Sequence, residues 1–266
     1  ERLKSKMLQD YSNQKFAQPY RQCVTGSARC LSHPVHTEEQ KHFFLETCSS
    51  IDFESFASKL LLQVHVTAFV HGNATPAESR EITNSVCEKL NVSPLPSATL
   101  LYHQRAMDLL PGRQYTYRQF AVHNNPKEIN SSVENTYVID SSNFGFIEES
   151  AINRGEQDSD DMRSRINMSA RLSILAHILS EPAFNQLRTK EQLGYIVSVS
   201  KKVVSSLLAL RIIVQSNSKS AHYLDGRIET FLKAYRDELA SISDEEYMSH
   251  ISAITERMNE KPKNLD

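Results

Sequence analysis

Arg188 and Tyr195 lie seven residues apart in the stretch Glu181-Pro-Ala-Phe-Asn-Gln-Leu-Arg-Thr-Lys-Glu-Gln-Leu-Gly-Tyr-Ile-Val197, where a charged helical turn runs without a loop into a β-rich segment. A guanidinium with its rigid fork of donors and a phenol beside it are groups that can stabilise a developing oxyanion. Phe184 precedes Arg188 by four residues and Gln192 follows it by four, so helical spacing places an aromatic body, a guanidinium and an amide on one face. Gly194 can take the left-handed geometry that ends a helix, reversing the chain and setting Tyr195 at a strand start beside that face. A purely structural reading fits the same residues. Arg188 would pair with Glu191 at i+3, Phe184 would enter the core and Tyr195 would anchor a hairpin. Spacing alone favours that second reading, because such helical pairs are common on surfaces.

Other chemistries find less support. A hydrolytic zinc site needs His-Glu-x-x-His or its inverse His-x-x-Glu-His, and neither occurs. His36 and His42 flank Glu38 and Glu39, but six residues of separation put the imidazoles on different helix faces. His65 and His71 share a strand face yet stand roughly 20 Å apart at about 3.3 Å per residue, too far for one metal. No metal ligand set is therefore expected in this chain. There is no Gly-x-Ser-x-Gly elbow and no P-loop, and seven glycines leave little room for a phosphate cradle. The acidic stretch from Glu148 to Asp161 lacks the residue order of a calcium loop and reads as a mobile surface loop.

The 266 residues are 39% hydrophobic, enough for a buried core. Thirty Lys and Arg against 32 Asp and Glu leave a net charge of −2, so no bulk field favours nucleic acid or an anionic membrane. No run approaches a membrane span and the first residues are charged, so a soluble chain is expected. Cys23, Cys30, Cys48 and Cys87 are too few and too scattered for a disulfide scaffold, which points to reduced thiols and a cytoplasmic location. Asn73, Asn91, Asn130 and Asn167 begin short glycosylation patterns that carry little weight. The chain opens on Glu and ends on Asn264-Leu265-Asp266 without a closing element, which suggests a piece of a longer polypeptide.

The elements that must position the corner follow from periodicity. A helix is expected over 2–31, another from the Thr37 capping box to about Cys48, and a third, capped by Ser50, to about Leu62. Val64 to His71 alternates as a strand, and Thr75-Pro76-Ala77-Glu78 opens a helix to about Leu90. Asn91 to Ser97, with two prolines, is the best linker. Strands are expected near Thr99–Leu110, Tyr115–His123 and Val133–Asp140, then a helix from Met162 to Leu179 and a short one begun by Pro182 and stopped by Gly194. Tyr195–Val199 and Val203–Gln215 form a hairpin across Lys201-Lys202, with the second strand apolar on both faces and so central. Amphipathic helices follow at Leu224–Leu239 and after Ser243. Together these predict an α+β fold, two-layer units of mostly antiparallel sheet with helices packed on one face.

Ser180-Glu-Pro-x-Phe-Asn-x-Leu-Arg-Thr-Lys-Glu-Gln-Leu-Gly-Tyr-Ile-Val resembles the fourth-domain signature of the insulysin (insulin-degrading enzyme)/pitrilysin-type zinc metalloendopeptidases. Leu210-Arg211, Gln215-Ser216, His222-Tyr223-Leu224, Arg227 and Lys261-Pro262-Lys263 continue the likeness, which is strong from about Leu172 to Asp266. Leu62-x-x-His65-Val66 through His71-Gly72-Asn73 and Val122-His123-Asn124-Asn125 resemble the end of that family's third domain and the start of its fourth. Residues 1–60 match only in pattern. The resemblance implies that 1–94 is the C-terminal part of a third domain, mostly helical with one strand-helix unit, and 95–266 part of a fourth.

In that family two halves close like a clamshell on a peptide. The N-terminal half supplies His-x-x-Glu-His and its zinc, and the C-terminal half an arginine and a tyrosine matching Arg188 and Tyr195, with an aromatic matching Phe184 against the substrate. The implied chemistry is attack of zinc-activated water on a peptide carbonyl while Arg188 and Tyr195 hold the substrate and the tetrahedral oxyanion. The implied partners are peptide substrates and the N-terminal half of the same enzyme, a homodimer being compatible, and the segment alone would be inactive. No zinc ligand carries over to a residue here. Where the family has glycines and an aromatic after Tyr-Ile-Val, this chain has Ser198, Ser200, Ser205 and Ser206, implying a differently shaped hairpin tip. A non-catalytic binding or assembly module of the same fold is the alternative.

Overall fold

A computed structural model describes residues 1–60, 62–95, 105–120, 127–140, 160–205 and 207–260. From the N-terminus run α1 (Arg2–Gln14), α2 (Pro19–Leu31), β1 (Ser32–His33), α3 (Glu38–Thr47), α4 (Ser50–Leu60), β2 (Gln63–Val64), α5 (Pro76–Leu90), β3 (Ser93–Pro94) and β4 (Arg105–Ala106). Then come β5 (Ser131–Asp140), α6 (Asp160–Ala183), a π-helical segment (Phe184–Lys190), β6 (Ile196–Val204), β7 (Leu207–Ser216), α7 (Ala221–Ala240) and α8 (Asp244–Asn259). Most of the acidic stretch, the end of the linker, Val122-His123-Asn124-Asn125 and Lys261-Pro262-Lys263 lie outside the described residues. Two compact units form, Glu1–Ser12 with Thr37–His103, and Asn13–His36 with Gln104–Asp266.

The first unit is mainly helical. The Thr37 and Thr75 capping boxes are both complete, each threonine accepting from the N–H three residues on while Gln40 or Glu78 reaches back. Helix α4 is capped by Ser49 rather than the expected Ser50. Asp52, three residues beyond Ser49, accepts both its N–H and its hydroxyl, whereas Ser50 is followed at that distance by Phe53, which accepts nothing. The expected strand Val64–His71 shrinks to Gln63–Val64, paired in parallel with Ser93–Pro94. Alternation makes a strand only where a neighbour takes up its N–H and C=O groups, and the pairing in this stretch is Gln63 with Ser93 and Val64 with Pro94.

In the second unit the helix expected over 2–31 is interrupted. Pro19 cannot donate into a preceding turn and instead starts α2 at its first helical position. The expected strand Thr99–Leu110 reduces, among the described residues, to Arg105–Ala106 paired antiparallel with Ser32–His33, and Tyr115–Phe120 is irregular. The main sheet is antiparallel in the order β5-β7-β6. Strand β7 is central, as its two-faced apolar run predicts. Leu208, Leu210, Ile212 and Val214 meet α6 and α7 residues such as Leu172, Leu179, Leu224 and Ile228 in the main core. Leu207 and Ala209 face the other way with Leu31 of α2, which is why Asn13–His36 groups with the later residues. The α+β class holds.

The hairpin does not turn at Lys201-Lys202. Both lysines pair within the strands, opposite Leu210 and Ala209, and the chain turns at Ser205, which takes φ 51°. A lysine pair reads as a solvated turn, but Lys202 finds a buried partner. Its ammonium reaches Glu134 Oε1 on β5 at 2.5 Å and Ser27 Oγ on α2 at 2.6 Å, while Ser27 and Thr136 also donate to that carboxylate.

Candidate functional site

Helix α6 runs through Pro182, which had been expected to begin a new helix, and ends at Ala183. The proline removes one amide donor from the ladder, and immediately afterwards the helix widens to π spacing over Phe184–Lys190. The Glu191 N–H bonds the Gln186 carbonyl at 3.0 Å and the Leu193 N–H bonds that of Leu187 at 3.0 Å. Ala183, Leu187 and Leu193 are buried in the main core and anchor the segment. The opposite side carries Phe184 and Arg188, both exposed.

The Arg188 guanidinium lies 4.8 Å from the centre of the Phe184 ring, a cation–π arrangement that holds the long side chain over an aromatic plate. It does not pair with Glu191. That carboxylate is taken by Arg227 of α7 in a two-bonded fork, 2.6 and 2.8 Å, and by the Gln186 amide at 2.8 Å. Phe184 is not a core residue either. Two parts of the structural reading of this corner are thus replaced by an arrangement that leaves the guanidinium fork facing outward.

Beyond the π segment the expected face breaks up. Gln192, not Gly194, takes the left-handed conformation, at φ 51°, so the helix ends before it and its amide leaves the Phe184–Arg188 face. Gly194 is needed for a different reason. A Cβ there would sit 1.8 Å from the Gln215 carbonyl oxygen and 3.0 Å from Ser216 Cα, so only a glycine lets this strand entry press onto the end of β7. Tyr195 follows, 49% exposed. Its hydroxyl oxygen accepts from Gln215 Nε2 at 2.7 Å, and Gln215 Oε1 accepts from the Tyr20 N–H at 2.9 Å. Phe184 and Arg188 are brought into contact, whereas Tyr195 is held through Gln215. Among the described residues no hydrogen bond joins Arg188 to Tyr195. The family likeness includes Gln215 but gives it no role at the corner, although an amide at the end of a largely apolar run, Leu207–Val214, is a visible signal.

The Glu191–Arg227 fork ties the end of the π segment to α7 and makes the corner sensitive to acid. The Arg227 guanidinium, chiefly by its hydrogen bonds, holds the Glu191 carboxyl below its ordinary value of 4.5. A carboxyl depressed in the folded state stabilises the fold above its unfolded pKa, and that contribution disappears as pH falls through the folded pKa. Glu191→Gln is therefore expected to weaken the fold at neutral pH and to flatten the loss of stability below about 4.5. Urea midpoints across that range check it. Equal acid slopes for the two proteins would show that Glu191 does not contribute.

Among the described residues no cluster of three or more His, Cys, Asp or Glu could hold a metal ion, and no helix is long and apolar enough to cross a membrane. The family described as PQQ synthase PqqF-like, C-terminal lobe domain 4, matches residues 174–266. Insulin-degrading enzyme-like 1, peroxisomal, of Arabidopsis thaliana is 25% identical over 99% of this chain, which covers 25% of that protein. The putative zinc protease mug138 of Schizosaccharomyces pombe is 33% identical over 80% of this chain and 20% of its own length. A crystal structure of pitrilysin superposes with a TM-score of 0.70 at 17% identity, over 100% of this chain and 25% of that one. The chain thus spans about a quarter of the length of the curated relatives it matches.

Proposed function

Because the chain belongs to the insulysin and pitrilysin family and represents part of its C-terminal half, we propose that it serves a zinc metalloendopeptidase by enclosing the peptide and binding the oxyanion. The observation that carries this is the corner itself. A π segment anchored by Leu187 and a strand entry pressed against β7 present an outward-facing guanidinium and a half-exposed phenol from rigid backbone. Arg188 donates to the peptide carbonyl oxygen and gains strength as negative charge builds there. Tyr195 supplies a second donor, and the Phe184 ring, under the guanidinium, lies against the substrate.

On this reading the zinc and the general base are supplied by the N-terminal half of the longer protein. That half and the peptide are the partners of this segment, with a homodimer compatible. Alone the segment is inactive. Residues 1–94 correspond to the end of a third domain and 95–266 to part of a fourth. The free thiols of Cys23, Cys30, Cys48 and Cys87 support a reducing, cytoplasmic setting.

In the full-length protein Tyr195→Phe and Arg188→Ala are each expected to lower kcat/KM on the order of 100-fold, the scale for losing one oxyanion donor. Arg188 is exposed, so its loss should barely move the melting temperature. Tyr195→Phe also leaves the buried Gln215 amide without an acceptor and should cost about 1–3 kcal/mol of stability, too little to unfold the protein and so to account for the activity loss. Activities that fall only in step with melting temperature would overturn the reading. Full activity in both variants would reject the oxyanion role of Arg188 and Tyr195, whereas a full-length wild-type protein without peptidase activity would favour a non-catalytic module.

A further inference from the structure

We propose that Gln215 is a positioning residue that fixes the direction of the Tyr195 hydrogen bond, so that the phenol proton is left for a substrate oxygen. The inference rests on the reading of Tyr195 as an oxyanion-binding group. Gln215 is fully buried at the end of β7, and its side chain joins two other elements. On one side is the Tyr20 N–H, in the first turn of α2, whose N-cap Gln18 makes no side-chain bond. A backbone N–H only donates, so the amide oxygen must face Tyr20. The amide nitrogen then faces Tyr195, and it too only donates.

The phenol oxygen is therefore the acceptor in this 2.7 Å bond, and its own hydrogen must point elsewhere. Among the described residues no acceptor for that hydrogen is present, and the half-exposed side chain directs it to solvent or to a bound ligand. The incoming bond also polarises the O–H and strengthens it as a donor. Position is set along with direction. Gln215 pairs with Ile196 in the sheet register, and its carbonyl lies against Gly194, so the backbone before and after Tyr195 rests on the same residue that orients its hydroxyl.

Gln215→Glu tests this with almost no change of shape. A protonated carboxyl there can still accept from Tyr20 and donate to Tyr195, whereas an ionised one can only accept and would capture the phenol proton. In the full-length protein, assayed on a fluorogenic peptide, the ratio of variant to wild-type kcat should be highest at acid pH. It should fall as pH rises, toward the level of Tyr195→Phe, on the order of 100-fold down. Adding Tyr195→Phe to the variant should then cost nothing more. A pH-independent ratio, or losses that multiply, would overturn the proposal. If Gln215→Glu does not fold, Gln215→Met decides. Its loss in kcat should vanish in the Tyr195→Phe background, and an equal loss in both backgrounds would overturn the proposal. Full activity of Tyr195→Phe by itself would instead reject the oxyanion role of Tyr195, an outcome separate from failure of Gln215 alone.

Discussion

Gly194→Ala is expected to cost the fold more than about 3 kcal/mol, at the upper end of what overpacking produces. The alanine Cβ would lie 1.8 Å from the Gln215 carbonyl oxygen, 2.8 Å from its carbon and 3.0 Å from Ser216 Cα. All three are backbone atoms of the central strand, so no side chain can swing aside. Relief requires the β6 entry to lift away from β7, which would also draw the Tyr195 hydroxyl off Gln215. Stability and activity should therefore fall together, in contrast to Tyr195→Phe. Guanidinium unfolding with a parallel peptidase assay on the full-length protein measures both. An alanine variant with wild-type stability would show that the strand end is less constrained than the packing implies.

Lys202→Met is expected to destabilise by about 3–5 kcal/mol, because it strands a carboxylate that is only 2% exposed. Glu134 sits between β5 and α2, where the lysine ammonium, Ser27 and Thr136 all converge on its Oε1. Ionised and without its cation, it would have to be desolvated with only two neutral hydroxyls in compensation. The partner experiment separates charge from packing. Glu134→Leu together with Lys202→Met removes both charges and should restore most of the loss, since apolar replacements of buried pairs are often neutral or better. Urea midpoints of the single and double variants give the answer. A double variant no more stable than the single one would mean that the methylene packing of Lys202, rather than its charge, holds this face.

How far these features could be read from sequence varied with the range of the interaction. Local rules worked well where one turn decides the outcome. Thr37 with Gln40, Thr75 with Glu78 and Ser243 with Glu246 form their caps as read, because donor and acceptor lie within three residues. The same rule applied one residue out of place at α4, where Asp52 selects Ser49. Prolines were harder. Pro19 breaks a run that periodicity alone joined, whereas Pro182 sits inside α6, directly before the wider π turns. Strand ends were hardest, since a strand's extent depends on a distant partner. Among the described residues the expected strand Val64–His71 is paired at Val64, with Pro94, while β6 runs through Lys201-Lys202 because β7 pairs with it there.

By itself the sequence determined the α+β class, the central place of β7 and the identity of the corner residues Phe184, Arg188 and Tyr195, together with the family they resemble. Those depend on residue type and near spacing, which survive any arrangement of the rest. Only the tertiary structure decided how the corner is held. It assigned Glu191 to Arg227 instead of Arg188, moved the left-handed turn to Gln192, made Gly194 a contact point on β7, and placed Gln215 between Tyr20 and Tyr195. Apart from the turn at Gln192, each of these joins residues from about 20 to 195 positions apart, and which donor meets which acceptor at that range is settled by packing of the sheet and helices.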